Sequence, residues 1–454
     1  MISKIKFFLK AKTDNLNSAE LVSYGRYKRI FLSGGAGVLT KLITLLSGFI
    51  SIPLTVNYLG PERYGMLMIL TSFSLFLSFA DFGLGNGLLN KISSAHARSS
   101  YKDAQRAISS TLALMIFISF IIGLVYFSTF NYISWDRVFN VESEVAIREA
   151  KPAMTVLILF FLINLPMAIV RKVYLGLQKD YSFQVYAAMG SLASLIGVCI
   201  GIYYQVGLPA MVFFFMGGHA LFAFIKGLKL FLHEHKELSP RLNLVDYKLC
   251  KNLLRAGSVF FLLQLFTLIG SSSDLIIITQ IIGPEDAGKY SIIQRIFMLA
   301  FLTSYFIEPL WPAFGEAMER GDKAWAKQTI VKALQISIVA TIVILIPIII
   351  LINPILINLI GSSYLPSNLL LLGFFVFSIF ANYGGIMSTF LNNKNTLNKQ
   401  LPIVGITCVF SLALKIYLSG IYGIEGIIWG TIIGYFIFYV YPVYRIAKKE
   451  LSIN

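Results

Sequence analysis

The sequence predicts an all-α, polytopic membrane protein with 12 transmembrane helices. The helices are expected to form two parallel six-helix repeats, with both termini cytoplasmic. Two observations carry this fold class. The 454-residue chain is 57% hydrophobic and only 13% charged, which is about half the charged fraction of an ordinary soluble protein. Its apolar residues also fall in blocks of about 18 to 25, the length of helix that crosses a bilayer.

Twelve apolar blocks are predicted as helices because backbone groups in lipid must form their hydrogen bonds within the segment itself. The blocks are 31–56, 64–92, 106–130, 152–176, 183–206, 208–232, 256–282, 289–316, 328–353, 366–391, 400–419 and 424–444. Only short turns, such as YYQVGLP and SGIYGIEG, divide the fifth block from the sixth and the eleventh from the twelfth.

The net charge of +16 is distributed unevenly along the chain. If the N-terminus is inside, 30 of the 38 Lys and Arg residues fall in inside segments and five fall outside. Lys and Arg accumulate on the cytoplasmic side of membrane proteins. The basic surplus is therefore an orientation signal, and we expect no nucleic-acid binding.

Segment 1–30 is polar and basic, and we expect no cleavable signal peptide in it. Its start, MISKIKFFLKAK, could lie as an amphipathic helix on the inner leaflet or remain a disordered basic tail. The three cysteines are far apart and predict no disulfide framework. His233 and His235 have no further ligands near them in sequence, so no metal or cofactor is expected.

Two outside turns indicate an internal repeat. LGPERYG at 59–65 and IGPEDAG at 282–288 share the pattern G-P-E-x-x-G at an offset of 223 residues. Proline cannot continue a helix, and glycine permits the tight re-entry of the chain. The predicted segments are a basic cytoplasmic segment 1–30, a six-helix bundle 31–232, a cytoplasmic linker 233–255, a second bundle 256–445 and a tail 446–454.

A polar stripe at the same register in each half supports the repeat. At 100° per residue, each stripe lies on one face of its helix. The first span carries Lys41, Thr44, Gly48 and Ser51, and the seventh carries Gln264, Thr267, Ser271 and Asp274, again 223 residues later. Six helices per repeat give both halves the same orientation, as in other parallel-repeat transporters.

Ionisable residues within the spans cost several kcal/mol unless they are paired or hydrated. Lys41 is expected at mid-bilayer, facing a cavity or snorkelling. Asp274 and Arg295 lie near the outer ends of spans seven and eight, and we predict an interhelical salt bridge between them. Lys415 also lies near an outer end and could snorkel. Glu308 precedes two prolines.

Those prolines, Pro309 and Pro312, are expected to kink or break the eighth helix in its inner half. The result would be either a gating kink or an unwound cytoplasmic end.

The stretch FADFGLGNGLLN, residues 79–90, places an acid and three glycines inside an apolar block. Gly83 and Gly87 form a G-x-x-x-G pair, which lets helices approach closely. We expect this helix to be enclosed by protein near its cytoplasmic end. Asp81 is interpreted as a packing, gating or ion-coupling position, with structural pairing as the alternative.

The runs YLGPERYG (58–65), ADFGLGNGLLN (80–90) and IIGPEDAG (281–288) resemble Wzx-type O-antigen and polysaccharide repeat-unit flippases. These belong to the polysaccharide biosynthesis proteins of the multidrug/oligosaccharidyl-lipid/polysaccharide exporter superfamily. The resemblance implies two six-helix bundles around a central cavity, alternating access and no enzymatic activity. It also implies an undecaprenyl-diphosphate-linked oligosaccharide as substrate, moved across the cell inner membrane for lipopolysaccharide biosynthesis. A polysaccharide polymerase and chain-length machinery would be partners.

A diphosphate requires cations in the cavity that admits it. Lys41 is the first candidate and Arg295 the second, since Lys binds phosphate as a point charge and Arg adds fork geometry. Gln264 and Lys415 complete the predicted substrate-binding set. Predicted ion-coupling or gating positions are Asp81, Asp274 and Glu308.

Two other functions remain open, and a third is set aside. A drug/cation antiporter of the same fold would use acids in an apolar pocket, as Asp81 or Asp274 could provide. A membrane glycosyltransferase or O-antigen polymerase usually needs a sizeable outer loop, and segment 131–151 has no apparent nucleophile constellation. A structural scaffold explains neither the repeat nor the buried charges.

Overall fold

The computed structural model describes residues 18–130, 132–139, 141–360, 365–392 and 396–451, and every regular element in these ranges is helical. The prediction for MISKIKFFLKAK falls outside the described residues. The first helix already includes Ser18, the first described residue, whereas the sequence predicted a helix from residue 31. The polar residues 18–30 thus share the helical geometry of the apolar block.

The helical run Ser18–Leu77 is interrupted at Gly60, and we call its two parts α1 (18–59) and α2 (61–77). The rest of the first half comprises α3 (Leu84–Ala97), α4 (Tyr101–Thr129), α5 (Trp135–Phe139), α6 (Glu144–Gly176), α7 (Asp180–Tyr203) and α8 (Leu208–Lys229). The second half comprises α9 (Tyr247–Ile281), α10 (Pro284–Phe297), α11 (Ser304–Ile307), α12 (Leu310–Glu319), α13 (Lys323–Ile360), α14 (Asn368–Leu391), α15 (Leu397–Tyr422), α16 (Ile424–Tyr435) and α17 (Tyr441–Leu451).

Eleven helices in the described ranges are long and apolar enough to cross a membrane. The crossing absent from these eleven corresponds to the predicted span 64–92. The structure divides that span into α2 and α3 by a 3-10 turn, Ser78–Asp81, and a bend at residues 82–83. Neither piece reaches spanning length alone, so a twelve-helix arrangement contains one crossing made of two short helices.

The two G-P-E-x-x-G motifs adopt matching backbone geometry. Gly60 has φ 75° and ψ 170° between α1 and α2, and Gly283 has φ 145° and ψ 162° between α9 and α10. Both conformations lie in a region that is essentially restricted to glycine. In the first motif, Glu62 accepts hydrogen bonds from the backbone amides of Glu142 and Ser143. Hydrogen bonds from the Ser143 side chain and from these two amides lower the pKa of the Glu62 carboxyl group.

Replacing Gly60 or Gly283 by alanine is expected to lower the free energy of unfolding by about 1–3 kcal/mol, since a side chain there strains the backbone. Among the described residues other than the chain neighbours, no atom lies within 4 Å of an added Cβ at either position, so the expected loss comes from backbone strain. Gly288 is the matched control, because it lies inside α10 in equally open space. Gly288→Ala should leave stability unchanged or raise it by up to about 1 kcal/mol. Denaturant unfolding of the purified protein measures all three, and equal stability would contradict the backbone argument.

The chain divides into two compact units. The first unit comprises residues 31–260, and the second comprises 261–454 together with the described residues up to Ile30. The N-terminal segment therefore packs with the second half of the chain. Its anchor is Arg26, fully buried, which bonds to Asp322 at 2.8 Å and to Glu316 at 3.5 Å.

Each unit has two apolar clusters, one toward each end of its helices. In the first unit, one cluster forms around Leu59 and Leu157 and the other around Leu88 and Val173. In the second unit the clusters form around Phe297 with Phe374, and around Phe314 with Phe390. Large apolar side chains also cover the outside of the helices, Phe117 and Phe120 on α4 among them. Such surfaces are typical of helices that face lipid.

The predicted cytoplasmic linker contains short turns before α9. A π turn (Leu230–Glu234) and two 3-10 turns (Lys236–Leu238 and Leu242–Leu244) lead into α9, which begins at Tyr247. The linker is fastened to α4: the Gln105 side chain donates to Ser239 O at 2.7 Å, and Ser109 Oγ accepts from the Arg241 amide at 3.0 Å.

Candidate functional site

The second unit contains a buried ion pair between Asp274 on α9 and Lys415 on α15. Lys415 Nζ lies 2.6 Å from Asp274 Oδ1 and also donates to the carbonyl of Gly270. Tyr290 donates its hydroxyl proton to Asp274 Oδ2 at 3.1 Å. The Asp274 and Lys415 side chains are only 8% and 1% exposed. Two of the three Lys415 donors are thus occupied inside the unit.

The predicted salt bridge between Asp274 and Arg295 is therefore wrong. Asp274 already has Lys415 and Tyr290 as partners, whereas Arg295 is exposed near the end of α10 and has no carboxylate partner among the described residues. The snorkelling interpretation of Lys415 is also wrong, because its side chain is buried with its charge neutralised by Asp274.

Lys41 lies on α1 in the first unit, half-buried and without a hydrogen bond or ion pair in the described part of the chain. The adjacent face of α1 packs against α7, where Thr40 Oγ1 donates to Gln184 O at 2.9 Å and Thr44 Oγ1 lies 2.7 Å from Ser191 Oγ. Lys41 is left at the edge of this contact. An unpaired ammonium in a membrane span requires water or an anion beside it.

Gln264 occupies the position in α9 that corresponds to Lys41 in the repeat. It is half-buried, and its Oε1 is buried without a hydrogen-bond donor among the described residues. Leaving a buried amide oxygen unbonded is costly. Gln264 thus offers an unused acceptor, as Lys41 offers an unused donor, in the other unit.

Asp81 holds the break between α2 and α3. Its carboxylate accepts from the amides of Gly83 at 2.9 Å and Gly85 at 3.3 Å, which are free donors at the start of α3. Phe82 and Gly83 both adopt positive φ, 47° and 72°. The sequence predicted a continuous helix here, and the capping carboxylate with these two residues is the physical reason for the break. Asp81 thus has structural partners, as one of the two predictions expected, but they are backbone amides.

Close packing surrounds this break. A Cβ on Gly257 would lie 2.8 Å from the carbonyl oxygen of Phe82, so α9 approaches the turn as only glycine allows. Asn86, in the first turn of α3, accepts a hydrogen bond from Lys172 Nζ at 2.7 Å. Contacts with α9 and with Lys172 of α6 thus hold the bend on two sides.

The second unit breaks the corresponding helix, as the prolines predicted. α10 ends at Phe297, a 3-10 turn occupies Met298–Thr303, and α11 ends before Glu308 and Pro309. A buried polar chain holds the turn: Thr303 Oγ1 donates to Asn382 Oδ1 at 2.6 Å, and Asn382 Nδ2 donates to Thr341 Oγ1 at 2.7 Å. The break begins at Met298, before the prolines, because these buried hydrogen bonds anchor the 3-10 turn.

Sequence reasoning missed one intramembrane titratable group. His219 on α8 lies between two α7 hydroxyls, with Nε2 3.2 Å from Ser191 Oγ and Nδ1 3.1 Å from Ser194 Oγ. Ser191 also contacts Thr44 on the Lys41 stripe. A histidine inside an apolar block was the available signal for this network.

Two sequence comparisons relate the chain to known proteins. Residues 33–318 match the family model described as "Polysaccharide biosynthesis protein". The chain is also similar to curated bacterial proteins. A "Putative O-antigen transporter" of Salmonella typhi is 22% identical over 431 residues, covering 94% of this chain and 98% of that protein. A protein of the same name from Salmonella typhimurium is 26% identical over 303 residues, covering 64% of this chain and 66% of that protein, just under two thirds of its length.

Solved structures show the same fold. A multidrug resistance MATE family transporter of the MOP superfamily, in an outward-facing conformation, aligns with a TM-score of 0.77 at 16% identity over 94% of this chain and 97% of its own. A MOP superfamily transporter from Pyrococcus furiosus aligns with the same score, identity and coverage.

Proposed function

Because the chain belongs to the polysaccharide biosynthesis protein family, we propose that it is a flippase for lipid-linked O-antigen or other surface-polysaccharide repeat units. The substrate is an undecaprenyl-diphosphate-linked oligosaccharide, which moves from the cytoplasmic to the outer leaflet of the cell inner membrane by alternating access. The observation that carries this proposal is the family match over residues 33–318, joined to relatives named as O-antigen transporters.

Lys41 is the proposed contact for the diphosphate. Lys41 and Arg295 have no carboxylate partner among the described residues, whereas Lys415 is paired with Asp274. A free ammonium can offer charge-assisted hydrogen bonds to phosphate oxygens. Gln264 adds an amide group with an unused acceptor, suited to a sugar hydroxyl. Lys415, the remaining residue of the predicted substrate-binding set, is engaged by Asp274 within the second unit.

The broken helices are the proposed gating elements. Asp81 and Glu308 each stand where a long crossing is divided into shorter helices. Short helices joined at a turn can change their mutual angle at the turn without breaking hydrogen bonds along a helix. Asp274, held by Lys415 and Tyr290, is the remaining candidate for ion coupling.

The leaflet on which lipid-linked repeat units accumulate tests the proposal. In cells deleted for the gene, we expect these units on the cytoplasmic leaflet, with complementation by the full chain restoring surface polysaccharide. Accumulation on the outer leaflet would instead indicate a polymerase. Unchanged polysaccharide with raised drug sensitivity would indicate the drug/cation antiporter of the same fold.

A further inference from the structure

An apolar groove lies in the first unit where the linker and the start of α9 pack against α4. Its volume is about 460 Å³, and its walls include Ala113, Leu114, Val245 and Leu254. Cys250 is buried within it. None of the residues that line the groove belongs to the Lys41 stripe or to either helix break.

Hydrogen bonds along α4 hold the groove in shape. Ser110 Oγ accepts from the amide of Asp246 at 3.1 Å, and the Cys250 thiol lies 3.8 Å from the Ser110 carbonyl oxygen. Asp246 in turn caps α9, accepting from the amides of Lys248 and Leu249 at 2.8 and 3.1 Å. These bonds fix the wall formed by α9 against the wall formed by α4.

The cytoplasmic rim of the groove is basic. Lys248, Lys251 and Arg255 are exposed on one face of α9, at spacings of three and four residues. None of the three has a carboxylate partner in the described ranges, and Asp246, the nearest acid in sequence, is engaged in capping. Lys251 also lines the groove itself.

The α4 wall of the groove continues into lipid-facing surface. Ala113 begins a stripe on α4 that continues through Phe117, Phe120 and Leu124, each more than half exposed and spaced by four, three and four residues. A molecule in the groove would thus meet cations along the α9 wall and, past Ala113 on the α4 wall, lipid-facing hydrocarbon.

We propose that this groove binds an anionic phospholipid of the cytoplasmic leaflet. The phosphate lies against Lys248 and Lys251, and one acyl chain enters between Ala113 and Leu254. Basic residues just cytoplasmic of a transmembrane helix attract anionic lipid headgroups, and the groove supplies the apolar contact for the chain. The site is separate from the proposed transport site and makes no use of its residues.

Native mass spectrometry of the purified full chain tests the site, with dioleoylphosphatidylglycerol titrated against dioleoylphosphatidylcholine. In the double variant Lys248→Gln/Lys251→Gln, we expect the Kd for phosphatidylglycerol to rise roughly 30-fold. Ala113→Phe fills the groove and should also weaken binding, with its thermal unfolding measured to show that it folds. Both lysines are exposed, so the double variant does not depend on that check.

The control is Lys327→Gln/Lys448→Gln, which removes two exposed lysines of the second unit that have no ion pair within the described residues. It should bind phosphatidylglycerol as the unchanged protein does. An equal loss in this control would overturn the proposal in favour of general charge attraction. Normal binding by Ala113→Phe would overturn the placement of the chain, and displacement of the phospholipid by undecaprenyl diphosphate would assign the groove to the transported lipid. Transport activity enters none of these readouts.

Discussion

Asp274→Ala is expected to destabilise the protein by about 3–5 kcal/mol, because it leaves the Lys415 ammonium buried without its counter-charge. The side chain of Lys415 is 1% exposed, so water cannot replace the lost carboxylate without rearrangement of α9 and α15. Tyr290 would lose its hydrogen-bond acceptor in the same variant. The free energy of unfolding in a defined detergent–lipid mixture measures the loss.

Two further variants test the pairing. Asp274→Leu/Lys415→Met removes both charges, and we expect it to recover most of the lost stability, since apolar replacement of a buried ion pair is often neutral. Arg295→Gln is the matched control, because Arg295 is exposed and unpaired in the described structure. Its effect should stay within about 0.5 kcal/mol. Large losses in both Arg295→Gln and Asp274→Ala, with no recovery in Asp274→Leu/Lys415→Met, would restore the Asp274–Arg295 pair that the sequence predicted.

Lys41→Ala is expected to lower the rate of lipid-linked oligosaccharide transport by on the order of ten- to a hundredfold, the value of one hydrogen bond to a charged group. Lys41→Arg should retain most of the activity, because it keeps the positive charge. Reconstituted vesicles containing a lipid-linked oligosaccharide give the rate directly, and surface O-antigen at normal expression gives the cellular counterpart.

Stability measurements distinguish a substrate-binding role of Lys41 from a structural role. Lys41 has no protein partner among the described residues, so Lys41→Ala should unfold as the unchanged protein does. Lys289→Ala serves as the transport control, because Lys289 pairs with Glu285 and Asp286 at the end of a helix. Full transport by Lys41→Ala would remove Lys41 from the diphosphate site, whereas an unfolded Lys41→Ala would assign it a structural role.

The features predicted well from sequence are those determined by local chemistry. Gly60 and Gly283 predict turns because few other residues adopt their backbone angles. In the structure, both glycines have positive φ and lie between two helices, as expected. Hydrophobic block length predicted the crossings for a similar reason, since it depends on the thickness of the bilayer alone.

The features that were missed depend on contacts distant in sequence. Arg295 is close to Asp274 along the chain, but the actual partner Lys415 is 141 residues away. Helical periodicity also assumes a continuous helix, so it could not reveal that Asp81 accepts from the amides of Gly83 and Gly85 where a new helix starts. Arg26 was predicted only as part of the cytoplasmic segment 1–30, because its partners Glu316 and Asp322 lie about 290 residues further on.

The position of Arg26 bears on how this chain can be cut or extended. A split gene divided within residues 233–255 would yield two equal repeats by sequence, but it would leave Arg26 on one polypeptide and Glu316 on the other. Glu316 is 3% exposed, and Arg29 and Arg320 are its other basic neighbours, at 3.8 and 3.1 Å. The repeats predicted from the sequence and the compact units of the folded chain thus have different borders. Fragments meant to fold separately should carry the N-terminal thirty residues with the C-terminal half.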